Sequence, residues 1–391
     1  MALGKSRQRI FVHGLGNCDV RELNPNPAND YSNVGYLQDT LIEQASTTES
    51  IIDESGALVD EKVKSLSVNF QTNLMQTGID EINLIRNSTY KHYAIRYYGN
   101  TDVNNRFQYF LIPCAKIIPS WQKKFSPEKQ LIAMNVKAID LSDELGFECP
   151  LFMEYEANQE IFIEQMKLFI APERGYNMST NKILDMSGFG NHGTLSSSTL
   201  WQTGTTPERF LHFNGFEDSD YLSFGDILDD DGQTDFWFEL WLRVQASNGV
   251  ALPIITKVLE YYNESQKGFC LFRKADNKLR FLISVDSQHY AQVDSIASIT
   301  QNIWYHIAVT VDRNGYVQIY VNGSMSCIPQ NVSFVGSVAN NNNLKIATDD
   351  DATDFAKIDL GNFRFHRGQL PASINSIILS HYNAEKSKYG L

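Results

Sequence analysis

Trp304 to Gly323 reads WYHIAVTVDRNGYVQIYVNG. Tyr305, Ile307, Val309 and Val311 alternate with Trp304, His306, Ala308 and Thr310, the period of two that a half-buried strand requires. Asp312-Arg313-Asn314-Gly315 is a turn, with Gly315 placed where a positive φ is wanted. Val317, Ile319 and Val321 then alternate with Tyr316, Gln318 and Tyr320 until Asn322-Gly323 ends the run. The stretch is a β-hairpin.

Its neighbours follow the same rule. Phe236, Phe238, Leu240, Leu242 and Val244 share one face of a strand whose other face carries Trp237, Glu239, Trp241 and Arg243. Leu279, Phe281, Ile283 and Val285 repeat the pattern, and Asp185 to Leu195, DMSGFGNHGTL, is a Gly-rich corner. Short strands at regular spacing between turn signals predict an antiparallel sandwich or jelly roll.

Six pieces then occur in order: DMSGFGNHGTL, RFLHFNGFEDSDYLSF, FWFELWLRV, GFCLFRKADNKLRFLI, the hairpin itself, and IDLGNFRFHRGQLPASI. From about Lys167 to Ala384 they resemble the laminin-G-like, concanavalin A-type jelly roll. The chain departs from that pattern at Leu360-Gly361-Asn362, where an acidic residue is common, and its first strand lacks the usual aromatic opening. The resemblance implies a carbohydrate or protein ligand and, in many members, a structural calcium. Its candidate ligands here are Asp185 and Asn191 of the corner, with Asp359 near the closing strand. Asp229-Asp230-Asp231 and Asp349-Asp350-Asp351 are further oxygen-rich runs, read either as cation sites or as solvated turns. No cofactor is required.

Glycoside hydrolases share this fold, and they need two carboxylates roughly 5–10 Å apart across the sugar. The strands offer Glu239 alone, between Trp237 and Trp241, and no Glu-x-Asp-x-x-Glu pattern occurs. The chain is therefore not read as an enzyme. Trp237 and Trp241, on one face of one strand, have two readings: rings that stack on a sugar, or rings buried in a layered assembly.

Length and composition bound the rest. At 391 residues and 42% hydrophobic content, the chain holds about two folded domains. A net charge of −13 argues against wrapping nucleic acid but suits a surface that nucleic acid slides past. No run approaches the roughly 20 apolar residues of a membrane span, and no apolar stretch follows the basic N-terminal residues as in a secretory signal. Cys18, Cys114, Cys149, Cys270 and Cys327 are scattered and never in CxxC spacing, as expected of reduced structural thiols made in a cytoplasm.

The first half reads as an arm, a long hairpin, a helix and further strands. Arg9 to His13 is a short apolar strand or arm, and Gly14 to Gly35 is a long segment rich in Asn, Pro and Gly. Along Ser65 to Leu74, Leu66, Val68, Phe70 and Thr72 alternate with Ser65, Ser67, Asn69, Gln71 and Asn73. Small uncharged polar residues along the whole exposed face suit a channel wall or a packed polar surface. Thr77 to Arg86 is the one helix expected here, with Asp80 and Glu81 in its first turn. Cys18 beside Asp19 is read as a structural thiol rather than a nucleophile.

GLGNCDVRELNPNPANDYSNVGYLQDT, the hairpin ESIIDESGALVDEKVKSLSVNFQTNLMQTG and the helix after it resemble the tail tube proteins of long-tailed bacteriophages. That resemblance covers roughly Met1 to Glu160 and is one of element order. It implies homohexameric rings that stack into a tube, contacts with other tail proteins, and a lumen that phage DNA traverses without specific binding. The domain boundary is placed near Glu164 to Met166, dividing a tail-tube-like domain, 1–164, from a jelly roll, 165–391. Two functional readings follow: a virion tail tube subunit with an outward lectin-like domain that takes a host-surface glycan, or a phage fibre, baseplate or capsid-decoration protein whose main task is carbohydrate or receptor binding. Both place the protein in a virion made in a bacterial cytoplasm.

Overall fold

A computed structural model describes residues 4–12, 16–23, 32–52, 58–74, 92–99, 107–118, 123–125, 130–139, 151, 153–157, 165–174, 181–245 and 250–391. The chain divides into two compact units, Met1–Glu160 and Ile161–Leu391, and it is mainly β.

The first unit holds β1 (Gly4–Val12), β2 (Gly16–Glu22), β3 (Ser32–Ile52), β4 (Leu58–Leu74), β5 (Tyr93–Gly99), β6 (Phe107–Ile118), β7 (Lys123–Phe125), β8 (Gln130–Ala138) and β9 (Met153–Ala157). The path β8–β4–β3–β2–β5–β6 returns to β8, so six antiparallel strands close on themselves. Closure removes the sheet edges that an open sheet would expose. Val20, Phe70, Ile95, Tyr97, Phe110, Met134 and Val136 fill the interior, so this ring of strands is a packed core and not a pore. The alternation expected around Ser65 to Leu74 holds where side chains are described: Val68, Phe70 and Thr72 are buried and Gln71 is exposed.

One expectation changes. Gly16–Glu22, read as part of a docking arm, is a strand of the barrel between β3 and β5. Cys18 and Val20 point into the core, and Asp19 sits directly opposite Arg96, whose Nη2 donates to its carboxylate at 3.1 Å. Burial pushes the Cys18 thiol well above its usual range, which suits a structural residue rather than a nucleophile. The helix expected over Thr77 to Arg86 lies outside the described residues.

The second unit is a sandwich of two antiparallel sheets, a concanavalin A-like jelly roll. The first sheet runs β13 (Trp201–Thr203), β14 (Arg209–Asn214), β26 (Lys357–Arg367), β16 (Phe236–Val244), β21 (Trp304–Val311), β22 (Tyr316–Val321) and β23 (Ser324–Met325). β10 (Met166–Ile170) also pairs with β26, and β24 (Gln330–Asn331) with β22. The second sheet runs β11 (Lys182–Ile183), β12 (Gly193–Leu195), β15 (Leu222–Ser223), β25 (Lys345–Ile346), β17 (Leu252–Lys257), β18 (Gly268–Arg273), β19 (Lys278–Asp286) and β20 (His289–Ser298). Between them Phe236, Phe238, Phe269, Phe281 and Phe365 pack ring on ring, with Phe236 and Phe365 stacked at 5.5 Å. Each such side chain contributes about 1.5–3 kcal/mol of burial.

The hairpin forms as expected, with Ile307 opposite Val321 and Val311 opposite Val317. Two details differ. Gly315 does not adopt positive φ; a Cβ there would collide with the Asp312 carboxylate that folds over the turn, and the positive φ values fall on Asn322 and Gly323 at +53° and +78°. Nor is β21 half-buried: His306, Ala308 and Thr310 on its outer face are as buried as Ile307 and Val309. The reason is a C-terminal helix, α1 (Ile374–Glu385), followed by a 3-10 turn over Lys386–Tyr389, which packs on that face.

Candidate binding surface

The two sheets have very different outer faces. On β16, Trp237, Glu239 and Trp241 point away from the Phe-rich core, opposite His366 and Arg364 of β26 on one side and His306 of β21 on the other. The C-terminal segment meets them there. Glu239 takes hydrogen bonds from His306 Nε2 at 3.1 Å and from His381 Nδ1 of α1 at 3.0 Å. Trp241 Nε1 donates to Glu385 at 2.7 Å, and Glu385 also holds the Arg364 guanidinium. Tyr389 stacks on the Trp241 ring at 4.0 Å and 9°, and its hydroxyl accepts the Asn362 N–H at 3.0 Å. A Cβ at Gly361 would strike that ring, which explains why a glycine stands in the closing piece of the sequence.

Trp237 and Trp241 are each 0% exposed, Trp237 lying flat against His366 at 4.3 Å. Neither ring presents a face on which a sugar could stack, so the sugar-stacking reading of these two residues is corrected to burial, Trp241 beneath Tyr389 and Glu385 and Trp237 against His366. Burial alone would raise the Glu239 carboxyl, but the charge of His381 and the hydrogen bonds of His306 and His381 outweigh it and hold it well below the ordinary carboxylate value. An ionised carboxylate sealed between two imidazoles cannot protonate a glycosidic oxygen. The unit has a lectin-type fold without catalytic machinery on this face.

The calcium candidates do not converge. Asp185 spends both oxygens on the chain itself, accepting from the N–H groups of Phe169, Ser187 and Asn191 and from the Ser187 hydroxyl, all within 3.0 Å. Asn191 donates its amide to the Lys167 carbonyl at 2.9 Å. Asp359 is fully buried and engaged by His212 and Arg243, each at 2.6 Å, and by Gln245. Saturated carboxylates that fasten a Gly-rich corner and a central strand do not fit a calcium ion. The other acidic runs are tied as well: Asp229 to Lys257, Asp230 to Arg313 and Asp350 to Lys345. Among the described residues no group of three or more His, Cys, Asp or Glu side chains is arranged to hold a metal ion.

The second sheet is covered over Cys270, Phe272 and Leu282 by Val258 and Tyr261 and is open at its β19–β20 edge. β20 is its outermost strand, and its pairing with β19 slips: Arg280 faces Asp294 but Lys278 faces Ser298. Residues between those pairs bulge, with the Ser295 hydroxyl filling the vacancy by accepting the Leu279 N–H at 2.9 Å. A bulge at a sheet edge re-aims side chains. Here it turns Ile296 outward to 65% exposure, beside Ile328 at 72% on the segment that leads into β24. Backbone bonds from Ile296 to Ser326 and the bridge between Ser295 and Cys327 fix that segment against β20. The result is a groove of about 450 Å³, lined by Lys278, Arg280, Gln292, Asp294, Ile296, Ile328 and Gln330, among others.

Arg280 and Asp294 form a two-pronged pair across the groove floor, at 2.5 and 2.8 Å, and Lys274 adds a third bond to Asp294 at 2.9 Å. Its hydrogen bonds to Asp294 raise the Arg280 guanidinium above its usual value, so it stays charged and fixed. The Lys278 ammonium and the Gln292 amide, by contrast, have no hydrogen-bond or ion-pair partner among the described residues. The one signal of this surface in the sequence is Ile296, an apolar residue continuing the polar series Tyr290, Gln292, Asp294.

Residues 216–373, wholly within the second unit, match the family described as the concanavalin A-like lectin/glucanases superfamily. Solved structures similar to the chain include the binding domain of Paraclostridial Mosquitocidal Protein 1, at 17% identity and a TM-score of 0.44 over 56% of this chain and 52% of that one. The binding domain of botulinum neurotoxin serotype G, at 17% identity, scores 0.43 over 57% and 51%. The receptor binding domain of botulinum neurotoxin D, at 14% identity, scores 0.43 over 56% and 53%. The chain spans about half the length of these structures. No curated protein matches the chain.

Proposed function

We propose that this is a receptor-binding protein: the second unit is a carbohydrate-binding module, and the first anchors it in a larger assembly, as in a phage fibre, baseplate or capsid-decoration protein. What carries the reading is the pairing of a lectin-type sandwich with a solvent-open groove on its second sheet. That groove combines unengaged polar donors with exposed aliphatic side chains. Sugars need both kinds of surface, one for hydroxyls and one for the C–H face of the ring. The test is binding of the full-length chain to an array of bacterial and host-surface glycans. Retention on a defined subset is expected, and absence of binding to every glycan would overturn the reading.

A second reading, the tail tube subunit, is favoured by one observation in the first unit. β3 spans 21 residues, about 70 Å of strand, and only its first part and the end of β4 belong to the closed barrel. Beyond, β1, β3 and β4 continue as a three-stranded ribbon whose outer edges pair with no other strand among the described residues, a form suited to pairing with further copies. The filled barrel interior puts any DNA-conducting lumen between subunits of a ring rather than within one. Negative-stain imaging of the purified chain separates the readings: long hollow stacks of hexamers support a tube, and particles that stop at a trimer or hexamer support a fibre or decoration protein. Deleting residues 1–33 removes β1 and β2 and is expected to abolish tubes under the tube reading.

A further inference from the structure

We propose that the β19–β20 groove takes an acidic saccharide, with the Lys278 ammonium receiving the ligand's anionic group; this deepens the carbohydrate-binding reading and rests on it. The chain as a whole carries −13, yet the groove and its rim reverse that sign locally, with Lys274, Lys278 and Arg280 against Asp276 and Asp294. Four of those five charges already satisfy one another. Asp294 is held by Arg280 and Lys274, and Asp276 by Lys274 at 3.2 Å and by the backbone N–H of Lys278. Lys278 acts on Asp276 only through space, with no ion-pair bond of its own among the described residues, and it lines the groove.

The rest of the groove supplies what a saccharide needs around that charge. Gln292, opposite Leu282 on the neighbouring strand, offers an unengaged amide, and Gln330 on the far wall spends only one of its two donors, on the Ile328 carbonyl at 3.3 Å. Amides of this kind bond adjacent hydroxyls as donor and acceptor at once. Ile296 and Ile328 are among the most exposed aliphatic side chains of the unit, and both stand at the groove wall, where they cover the apolar side of a pyranose ring. Single exposed aliphatics are ordinary, but two that converge on a groove with free donors define a ligand surface. The fixed Arg280–Asp294 pair acts as a floor: Asp294 is neutralised and does not repel an anion, and the guanidinium plane is held in place by two bonds. An acidic group in the groove meets one mobile ammonium, and a charge-assisted bond of that kind is worth about tenfold in affinity.

The test uses the full chain with three soluble probes: lactose, 3′-sialyllactose and 3′-sulfolactose. Binding is measured by calorimetry at low and at moderate salt. Both acidic probes are expected to bind about tenfold more tightly than lactose, with the advantage shrinking as salt rises. Lys278→Gln is expected to erase that advantage, and Ile328→Asp to weaken all three probes. A preference for sialyllactose over sulfolactose identifies a carboxylate as the anionic group, and equal affinity identifies charge alone. Equal binding of lactose and the acidic probes, unchanged in Lys278→Gln, overturns the acidic-ligand inference while the carbohydrate-binding reading survives. No binding of any probe, together with an empty glycan array, overturns both.

Discussion

The outer faces of the two sheets begin from the same kind of strand. β16 alternates core phenylalanines and leucines with Trp237, Glu239, Trp241 and Arg243, and β19 and β20 alternate their core residues with Lys278, Arg280, Gln292 and Asp294. One face became a dry network of charges and the other a wet groove. The difference does not reside in either strand. It comes from residues 374–389, which lay His381, Glu385 and Tyr389 onto the first sheet, whereas on the second sheet the cover of Val258 and Tyr261 stops at Cys270, Phe272 and Leu282 and leaves the β19–β20 edge in solvent. An alternating strand specifies which side chains leave the core, and a distant segment decides whether they meet water.

The sharpest way to break this contrast is to remove the carboxylate under the helix. Glu239→Ala leaves two buried imidazoles without their shared acceptor and is expected to cost about 3 kcal/mol of unfolding free energy. Hydrogen exchange should accelerate first over 374–385, and unchanged protection there would detach Glu239 from the docking of α1. For comparison, Phe365→Ala, inside the shared core of both sheets, is expected to cost about 3–5 kcal/mol with no preference for either face, read from denaturant midpoints.

Acid provides a graded version. Burial would raise the Glu385 carboxyl, but Arg364, Lys388 and Trp241 outweigh it and hold the carboxyl at about 2, against an ordinary 4.5. A depressed carboxylate contributes stability that is present above its unfolded value and lost as pH falls through the folded one. Between pH 5 and pH 2 the unit should therefore lose on the order of 3 kcal/mol through this group, and Glu385→Gln should flatten that part of the melting profile. A melting temperature indifferent to pH below 5 in both proteins would show that Glu385 is not the anchor.

A smaller effect of opposite sign is expected at Asp349, on the loop after β25. Burial and its contact with Asp351 push this carboxyl up to about 7. A raised carboxyl favours the folded state only while protonated, so its cost to folding grows as pH rises from the ordinary 3.8 towards that value. Asp349→Asn should raise the melting temperature by a few degrees at pH 8, by less at pH 5, and change little near pH 3, below the ordinary value of 3.8. Last in order, Lys278→Gln on the open face should leave stability within about 0.5 kcal/mol, so that its effect on ligand binding stands alone.

Much of the sandwich is legible in the sequence alone. The hairpin at Trp304–Gly323, the core alternation of β16 and β19, and the mainly β character of both halves follow from period-two patterning that burial on one side enforces. What stayed hidden has physical causes. α1 buries Ile378, His381 and Glu385, a stripe that is two-thirds polar, and Ser373 makes no side-chain cap, so neither an apolar face nor a cap signal announces it. Without the C-terminal segment, Trp241 looks like a surface aromatic. Asp185 resembles a metal ligand because Asp accepts backbone N–H groups and binds calcium through the same oxygens; only the four donors around it distinguish the two. Ser295–Ala297 reads as ordinary strand, since a bulge depends on the register of two chains and not on one.

The position of β26 governs how this sandwich is made. It is flanked by β14 and β10 on one side and β16 on the other, so Met166 must wait for His366, 200 residues on, before it has a partner. During synthesis β14 and β16 stand with unpaired edges while β17 to β20 and β25 of the second sheet are still emerging. Pairings of such long range fold slowly, and open edges invite association with other chains. The nascent protein should therefore depend on chaperones until residues 357–367 are out, and a ribosome stalled before that point should carry a protease-sensitive second unit however complete its other strands.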